Sequence, residues 1–505
     1  MLLRNARLLR LGGSRPGDAG QAGEPVDVRL AGGVVQTVGD VRPEHAERVI
    51  DLQGRWLAPG LWDQHVHMGQ WGLMSQRVDL SAAGSTHHAV RIVAEHIASL
   101  PADGSVVQGW GHRSAAWAEA PTTAALDQIG NGHPVVLMSG DGHHAWMNTQ
   151  AMRLLGLPAR PGIIVEREWF EAFPRLGDLP GSRELTRDGV AQAAGDAARM
   201  GVVGIVDLEF GTPYRDWPAR IAAGIGLRVR AGVYPDHLDD ALAAGLRTGQ
   251  VIDPVADPGG LATMGPLKII LDGSLNTRTA LCTQPYADAR EPAHPNGVRN
   301  YTTTELIDLL GRATRGGLQV AVHAIGDEAA HEALDAIETV HATGSIEHAQ
   351  LIADSDVGRL GRLGRLGLRA SVQPAHLLDD HAVMRQCWPD RAQRTFPIGS
   401  LLRAGADVVL GSDAPVAPLD PWLAMWAAVE RRAGDAVWFP EQVMTREQAF
   451  AASTDAHMSV QAGSAADLVV LENDPLDPST DLRSLPASVA ATVVCGRFTH
   501  IRLEG

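Results

Sequence analysis

The segment WLAPGLWDQHVH, residues 56–67, begins as an apolar run and ends in polar residues. This pattern is typical of a buried β-strand whose carboxyl end reaches a surface. Side chains two apart in a strand project from the same face, so His65 and His67 are predicted to point together beyond the strand end. Two imidazoles so placed can chelate a metal. The chain has 20 histidines, so chance is an open alternative for this pair, and other residues must decide it.

The composition indicates a large globular chain with a small-molecule partner. Its 505 residues are 45% hydrophobic, which suits a large barrel with a smaller companion domain. A formal charge of -16 without any Lys/Arg-rich run argues against nucleic acid or an anionic membrane as partner. No stretch reaches the roughly 18 apolar residues of a membrane span. The first residues, MLLRNARLLRLGG, are expected to be a poor signal peptide.

The cysteine usage bears on the compartment. Cys282, Cys387 and Cys495 are far apart and form no CxxC pair. This usage indicates a reducing compartment without a disulfide framework. We therefore predict a cytoplasmic protein, with a homodimer as an open alternative for its assembly.

The two ends of the chain have β-strand patterns, whereas the middle alternates between strand and helix. We predict one small β-sandwich domain from residues 1–57 and 460–505, because chain ends commonly lie close together. Residues 58–459 are predicted to form an α/β domain, a (β/α)8 TIM-type barrel with an inserted subdomain at about 70–195. The eight barrel strands are predicted at 57–67, 201–209, 226–234, 265–273, 317–325, 343–350, 367–374 and 405–413.

The carboxyl ends of these strands carry residues that can bind metal. Barrel enzymes build their active sites at this end of the barrel. The residues found there share nitrogen or oxygen donors, and they are His65, His67, Lys268, His323, His348 and Asp413. So many donors at matching positions favour a metal site over chance placement.

The motifs around these residues resemble those of the amidohydrolase superfamily of metal-dependent hydrolases. Within it, the chain is similar to YtcJ-like proteins and N-substituted formamide deformylases. The resemblance covers nearly the whole chain. It is carried by PGLWDQHVH, KIILDGSLNTRT, AVHAIGD, SIEHAQ, SVQPAH, LGSDAPVAPLDPW and a terminal AADLVVLENDP.

The resemblance implies a site for one or two metals. His65, His67 and Asp413 would bind the first metal, and His323 and His348 the second. Lys268 stands where the superfamily can carry a carboxylated lysine that bridges two metals, a role that requires modification or a lowered pKa. A buried Lys268 amine paired with a carboxylate such as Asp272 is the open alternative.

The ligand types suit a divalent metal, with zinc as the first choice and iron, manganese and cobalt still open. Such a metal acidifies a bound water and polarises a substrate carbonyl. By resemblance, Asp413 would accept the proton of the water and pass it to the leaving amine. The catalytic residues are therefore predicted to be Asp413 and Lys268.

Substrate recognition is predicted to involve Trp71, His143, Arg278 and His376. Arg278 can pair with a substrate carboxylate, and tryptophans can line an apolar pocket. For each residue, a role in packing or in a turn is the alternative.

The favoured function is hydrolysis of a C–N bond, of amide or formamide type, in a small molecule. A mononuclear deaminase, with one metal and an unmodified Lys268, is a second possibility. A barrel that binds a ligand without turnover is a third.

Overall fold

The computed structural model describes residues 1–12, 24–114, 117–140, 144–288, 294–433 and 436–503. The first strands along the chain are β1 (Leu2–Leu8), β2 (Val26–Ala31), β3 (Val34–Gly39), β4 (Val49–Asp51), β5 (Trp56–Pro59) and β6 (Leu61–Val66). The strand predicted at 57–67 is thus two strands, which divide at Gly60. A side chain at Gly60 would overlap Val203, and the Gly60 N–H donates to the Asp467 carbonyl at 2.9 Å. The division lets β5 join the terminal sheet while β6 enters the barrel.

The segment after β6 forms a compact unit of its own, Gly69–Ala193. Its strands form a sheet in the order β11-β10-β9-β8-β7, and Trp146 lies fully buried in its core. The elements from here to the next barrel strand are α1 (Met68–Ser75), β7 (Val78–Asp79), α2 (Thr86–Ala98), β8 (Val107–His112), α3 (Thr123–Ile129), β9 (Val135–Ser139), β10 (His144–Met147), α4 (Thr149–Leu154), β11 (Ile164–Val165), α5 (Glu166–Ala172) and α6 (Ser182–Arg199).

The remaining barrel strands alternate with helices. In chain order, these strands and helices are β12 (Val202–Asp207), α7 (Pro213–Ala222), β13 (Arg228–Val233), α8 (Leu238–Ala243), β14 (Ala262–Ile270), α9 (Thr303–Arg315), β15 (Val320–Ala324), α10 (Asp327–Val340), β16 (Gly344–His348), α11 (Asp354–Gly364), β17 (Leu368–Val372), α12 (Leu377–Cys387), α13 (Ile398–Arg403), β18 (Asp407–Leu410) and α14 (Pro421–Glu430). The strands β12 to β18 and β6 form an eight-stranded parallel sheet in chain order.

Local sequence explains where the helix α9 begins and which face it buries. A capping box at Thr302 and Glu305 starts α9, since each side chain accepts from the backbone N–H of the other residue. The helix then buries Leu306, Leu310 and Ala313, which are spaced three or four residues apart and therefore share one face.

The last elements are β19 (Arg432–Ala433), β20 (Ala436–Val437), α15 (Arg446–Ala452), β21 (Leu468–Leu471), β22 (Val489–Val494) and β23 (Arg497–Ile501). The terminal sheet has the order β23-β22-β21-β5-β1-β2-β3, with β4 beside β1, so both chain ends build it. Its core includes Leu3 and Val28 from one end and Leu468 and Val493 from the other.

The predicted fold class, an α/β barrel with sheet structure from both chain ends and an insertion after the first strand, is confirmed. The terminal sheet and the barrel belong to one compact unit, Met1–Met68 with Ala194–Gly505. The domain boundaries proposed at 57 and 460 stay predictions. No helix among the described residues is both long and apolar enough to cross a membrane.

Candidate metal centre

The barrel closes where its first and last strands meet, and this closure brings the opening motif to Asp413. The Asp413 N–H donates to the His65 carbonyl at 2.7 Å, and the His67 N–H donates to the Ala414 carbonyl at 2.8 Å. Beneath them, Asp63 Oδ1 accepts from the backbone N–H of His65 at 3.1 Å and of Ser412 at 2.9 Å. These backbone bonds and the Asp63 carboxylate hold the end of β6 beside the segment that follows β18.

The first group of donor atoms consists of His65, His67 and Asp413. Nε2 of each imidazole lies 3.3 Å from Asp413 Oδ1. His65 is 1% exposed and the Asp413 side chain 11%. Two imidazole nitrogens and one carboxylate oxygen in this setting are a donor set that suits zinc and related divalent metals.

Asp413 is a carboxylate in this setting. Burial by itself raises the pKa of the Asp413 carboxyl, but the facing imidazoles of His65, His67 and His376 outweigh it and hold the pKa below its ordinary value. Burial also lowers the pKa of His65 and of His348 well below the usual range, so both imidazoles are neutral near pH 7. Neutral imidazoles and an ionised carboxylate are the forms that bind metal.

Two of the donor residues have left-handed backbone conformations. The φ angle is 71° at His348 and 57° at Asp413. A non-glycine residue in this region costs about 1–3 kcal/mol, and such residues cluster at functional sites. At His348 the bend has a clear consequence, because Glu347 and His348 both contact the centre although they are neighbours in sequence.

Lys268 lies among the same donors. Its Nζ is 3.3 Å from His65 Nε2, the residue is 1% exposed, and burial lowers its pKa. The alternative of a buried amine paired with a carboxylate stays open, because Glu347 and Asp413 act on Lys268 and raise its pKa against burial. Asp272 accepts from the backbone N–H groups of Leu281, Ile325 and Gly326 at 2.8 to 3.1 Å.

His323 stands beside His348, with ring centroids 4.4 Å apart. Its Nε2 donates to the Gly273 carbonyl at 3.3 Å and lies 3.4 Å from Asp272 Oδ1. Burial and the nearby Lys268 lower the pKa of His323 to about 4. The imidazole is therefore neutral, with Nδ1 as the nitrogen that carries a free electron pair.

A second group of donor atoms includes His376, which the sequence assigned to substrate. Ligand atoms of His348, His376 and Asp413 lie within 4.8 Å of one another, as do those of His65, His67 and Asp413. Within the described ranges, His67 Nδ1, His348 Nδ1 and His376 Nε2 are buried nitrogens without a hydrogen-bond partner. Buried polar atoms are nearly always satisfied, so these nitrogens fit a site that a metal or its bound groups complete.

Comparison with known protein families gives a match for this chain. The profile of the amidohydrolase family matches residues 48–500. The chain belongs to the amidohydrolase family. This chain is 30% identical over 500 residues to the protein LONG AFTER FAR-RED 3 of Arabidopsis thaliana. The alignment covers 89% of this chain and 83% of that protein. The chain is 26% identical over 529 residues to the N-substituted formamide deformylase of Arthrobacter pascens, covering 94% of this chain and 95% of that one.

A solved structure supports the same conclusion. An uncharacterized metal-dependent hydrolase from Pyrococcus horikoshii OT3 aligns with this amidohydrolase at a TM-score of 0.80 and 26% identity, covering 96% of this chain and 99% of that one. The resemblance inferred from the motifs is therefore confirmed. Family and structural likeness together support a metal-dependent hydrolase.

The other residues predicted to bind substrate have different outcomes. In this amidohydrolase, Arg278 donates to Asp288 at 2.8 Å and to the Asn276 carbonyl at 2.8 Å, so a substrate carboxylate would have to compete with these partners. Trp71 lies in the separate compact unit, on α1, and His143 lies outside the described residues. Their roles in binding substrate stay predictions.

Sequence reasoning missed Glu347 and Phe210. Glu347 is 1% exposed, and its Oε2 accepts a 2.7 Å hydrogen bond from His65 Nδ1, while Ser345 Oγ donates to its other oxygen. Phe210 is 54% exposed and stacks on the His67 ring at 5.3 Å. The available signals were weak: an acidic residue beside His348 in SIEHAQ, and an aromatic residue just beyond the second barrel strand.

The contact between Glu347 and His65 gives a first prediction. Since Nδ1 of His65 donates to Glu347, Nε2 keeps the electron pair that faces Asp413 and Lys268. We expect Glu347→Gln to lower metal affinity by about 10- to 100-fold, the usual effect of losing a carboxylate behind a ligand histidine. Competition with a chromophoric chelator measures the affinity.

The control for this variant is Glu338→Gln, which removes a carboxylate from an outer ion pair with Arg359. It should leave metal affinity unchanged. Equal affinities for the wild type and Glu347→Gln would show that Glu347 does not orient His65 for metal binding.

Proposed function

We propose that this amidohydrolase hydrolyses a C–N bond, of amide or formamide type, in a small molecule. The observation that carries the proposal is the placement of Asp413, one oxygen of which faces both His65 and His67 in a largely buried site. Similarity to a relative named as an N-substituted formamide deformylase favours a formamide or a related amide as substrate. Zinc is the metal that we propose first, because these donors suit it.

A divalent metal held by these donors supplies an acidified water and polarisation of the substrate carbonyl. Asp413 then serves as the proton carrier. Its carboxylate accepts the proton of the attacking water and returns it to the nitrogen that leaves, so that the C–N bond breaks with release of a neutral amine. Asp413 suits this task because it is ionised and is held close to the donor imidazoles.

We also propose that Lys268 is carboxylated when two metals are bound. Burial lowers its pKa, which favours the neutral amine that reacts with carbon dioxide. The added carboxylate would turn this amine into an anionic ligand. Two metals per chain together with a mass increase at Lys268 would support this form, whereas one metal with an unmodified lysine would favour the mononuclear alternative.

The surroundings of the centre favour a substrate with an apolar group. Phe210 presents an exposed ring beside His67 and contacts Tyr234, with ring centroids 5.1 Å apart. An aromatic surface at this position can pack against an alkyl or aryl substituent on the substrate nitrogen or acyl group. We therefore expect N-aryl and N-benzyl formamides to react better than unsubstituted formamide.

The test is a hydrolysis screen on the metal-loaded protein, with metal content measured in the same samples. We expect amine and acid to form together from N-formyl or N-acyl compounds, and activity to vanish after chelation and return with metal. Ammonia release from amino-substituted rings without acid formation would favour a deaminase. Full metal loading without turnover of either class would favour a barrel that binds but does not react.

A further inference from the structure

The loop after β17 carries a histidine whose environment differs from that of a substrate-binding residue. His376 ends the single helical turn Pro374–His376, which follows β17 at the carboxyl end of the barrel. Its side chain is 10% exposed, and its Nε2 lies 3.8 Å from Asp413 Oδ2. That nitrogen has no hydrogen-bond partner in the described part of the chain. A buried donor or acceptor left unmatched is costly, so the site is built for something that completes it.

The two oxygens of Asp413 face different sets of imidazoles. Oδ1 lies 3.3 Å from Nε2 of His65 and of His67, whereas Oδ2 is the oxygen nearest to His376. The ligand atoms of His348, His376 and Asp413 lie within 4.8 Å of one another. This second set repeats the composition of the first, with two imidazoles and one shared carboxylate. The Asp413 carboxylate is thus common to both sets.

We propose that His376 is a metal ligand, and that with His348 and Asp413 it forms a second metal-binding set. This adds a ligand from the β17 loop to those that the family resemblance implies, and it replaces the role in substrate binding that the sequence suggested. The inference rests on the metal-dependent function proposed above. It concerns which residues hold the metal and makes no assumption about the substrate.

The position of the unpartnered nitrogen supports a ligand over a substrate contact. The His376 ring is nearly parallel to that of His348, at an interplanar angle of 27° and a centroid distance of 6.1 Å. Its unpartnered nitrogen lies toward the Asp413 carboxylate, which belongs to both donor sets. Direct hydrogen bonding does not explain the approach, since 3.8 Å is too long for it. A metal ion held by both residues would account for it.

The test compares metal binding in His376→Ala, His376→Gln and His381→Ala. His381 is a matched control on α12, where its Nδ1 bonds to the Leu378 carbonyl at 3.1 Å instead of facing the centre. Each protein is dialysed against a chelator and loaded with zinc or cobalt(II). Zinc per chain, zinc affinity and the visible absorption spectrum of the cobalt form are measured, and circular dichroism reports folding. If the alanine variant does not fold, His376→Gln, which keeps bulk and a polar end, gives the same comparison.

We expect the His376 variants to lose a metal equivalent or to bind zinc at least tenfold more weakly, with an altered cobalt spectrum, while His381→Ala matches the wild type. This result supports the proposal whether the wild type holds one metal or two. Wild-type zinc content, affinity and cobalt spectrum in a folded His376 variant would overturn it, and a raised KM in that protein would restore the role in substrate binding. Absence of metal binding by the wild type would overturn the metal-dependent function itself, and a protein that binds metal through His376 but hydrolyses no amide would refute the substrate class alone.

Discussion

Replacing Asp413 with asparagine is expected to lower kcat by about 10²- to 10⁴-fold per bound metal, the range that a positioned proton carrier contributes. Asparagine has nearly the shape of aspartate and keeps an oxygen that can face His65 and His67. It lacks the ionised carboxylate that accepts and returns the proton. The backbone should tolerate the change, because the φ angle of 57° at this position is one that asparagine adopts more readily than most residues.

The measurement is kcat on a substrate from the hydrolysis screen, divided by the metal content of each sample. This division is needed because Asp413 lies in both donor sets, so the variant is also expected to bind metal more weakly. Asp354→Asn, an exposed change in the first turn of α11, is the control and should keep wild-type turnover. Wild-type turnover per bound metal in Asp413→Asn would remove Asp413 from the role of proton carrier.

Much of the centre could be predicted because strand alternation and barrel topology constrain it strongly. His65 and His67 are two residues apart, and the parallel barrel brings the ends of β6, β16 and β18 to the same face. The position of these donors therefore follows from a correct assignment of strands. The segment predicted as one strand at 57–67 is divided at Gly60, but this error does not change the predicted position of the histidines. The division lies near the start of the segment, whereas His65 and His67 lie at its end.

Glu347 could not be predicted in the same manner. Regular alternation places adjacent residues on opposite faces, so assigning His348 to the centre argues against Glu347. The left-handed backbone at His348 removes this constraint, and no local pattern signals it because neither residue is glycine. Arg278 shows a related limit, since its partner Asp288 lies ten residues away in an irregular segment whose path depends on tertiary packing.

The role of His376 shows where a motif ceases to be informative. SVQPAH places the histidine just beyond a barrel strand, which is compatible with either a metal ligand or a substrate contact. The two roles differ in which atom of the ring approaches which oxygen. That distinction depends on distances of a few ångströms among His348, His376 and Asp413, which lie at or beyond the ends of three separate strands.

His65→Ala is expected to have the largest effect on metal binding. The loss of affinity should exceed 10- to 100-fold, which is the usual effect of replacing a residue that hydrogen-bonds to a metal ligand. The His65 Nε2 lies 3.3 Å from both Asp413 Oδ1 and Lys268 Nζ, so the change removes a donor from the middle of the centre. Metal retained after dialysis against a chelator measures the effect. The exposed His87 on α2 provides the matched control, since His87→Ala should retain wild-type metal.

The same variant tests whether Glu347 acts through His65. His65→Ala leaves the buried Glu347 carboxylate without its imidazole partner, which should lower the free energy of unfolding of the apoprotein by about 1–3 kcal/mol. Adding Glu347→Gln should then recover part of that loss, because a neutral amide costs less to bury than a carboxylate that has lost one partner and keeps only the Ser345 hydroxyl on its other oxygen. In the wild-type background the same change should destabilise the apoprotein, since it breaks an intact hydrogen bond. Equal effects of Glu347→Gln in both backgrounds, measured by urea unfolding, would show that the two residues act independently.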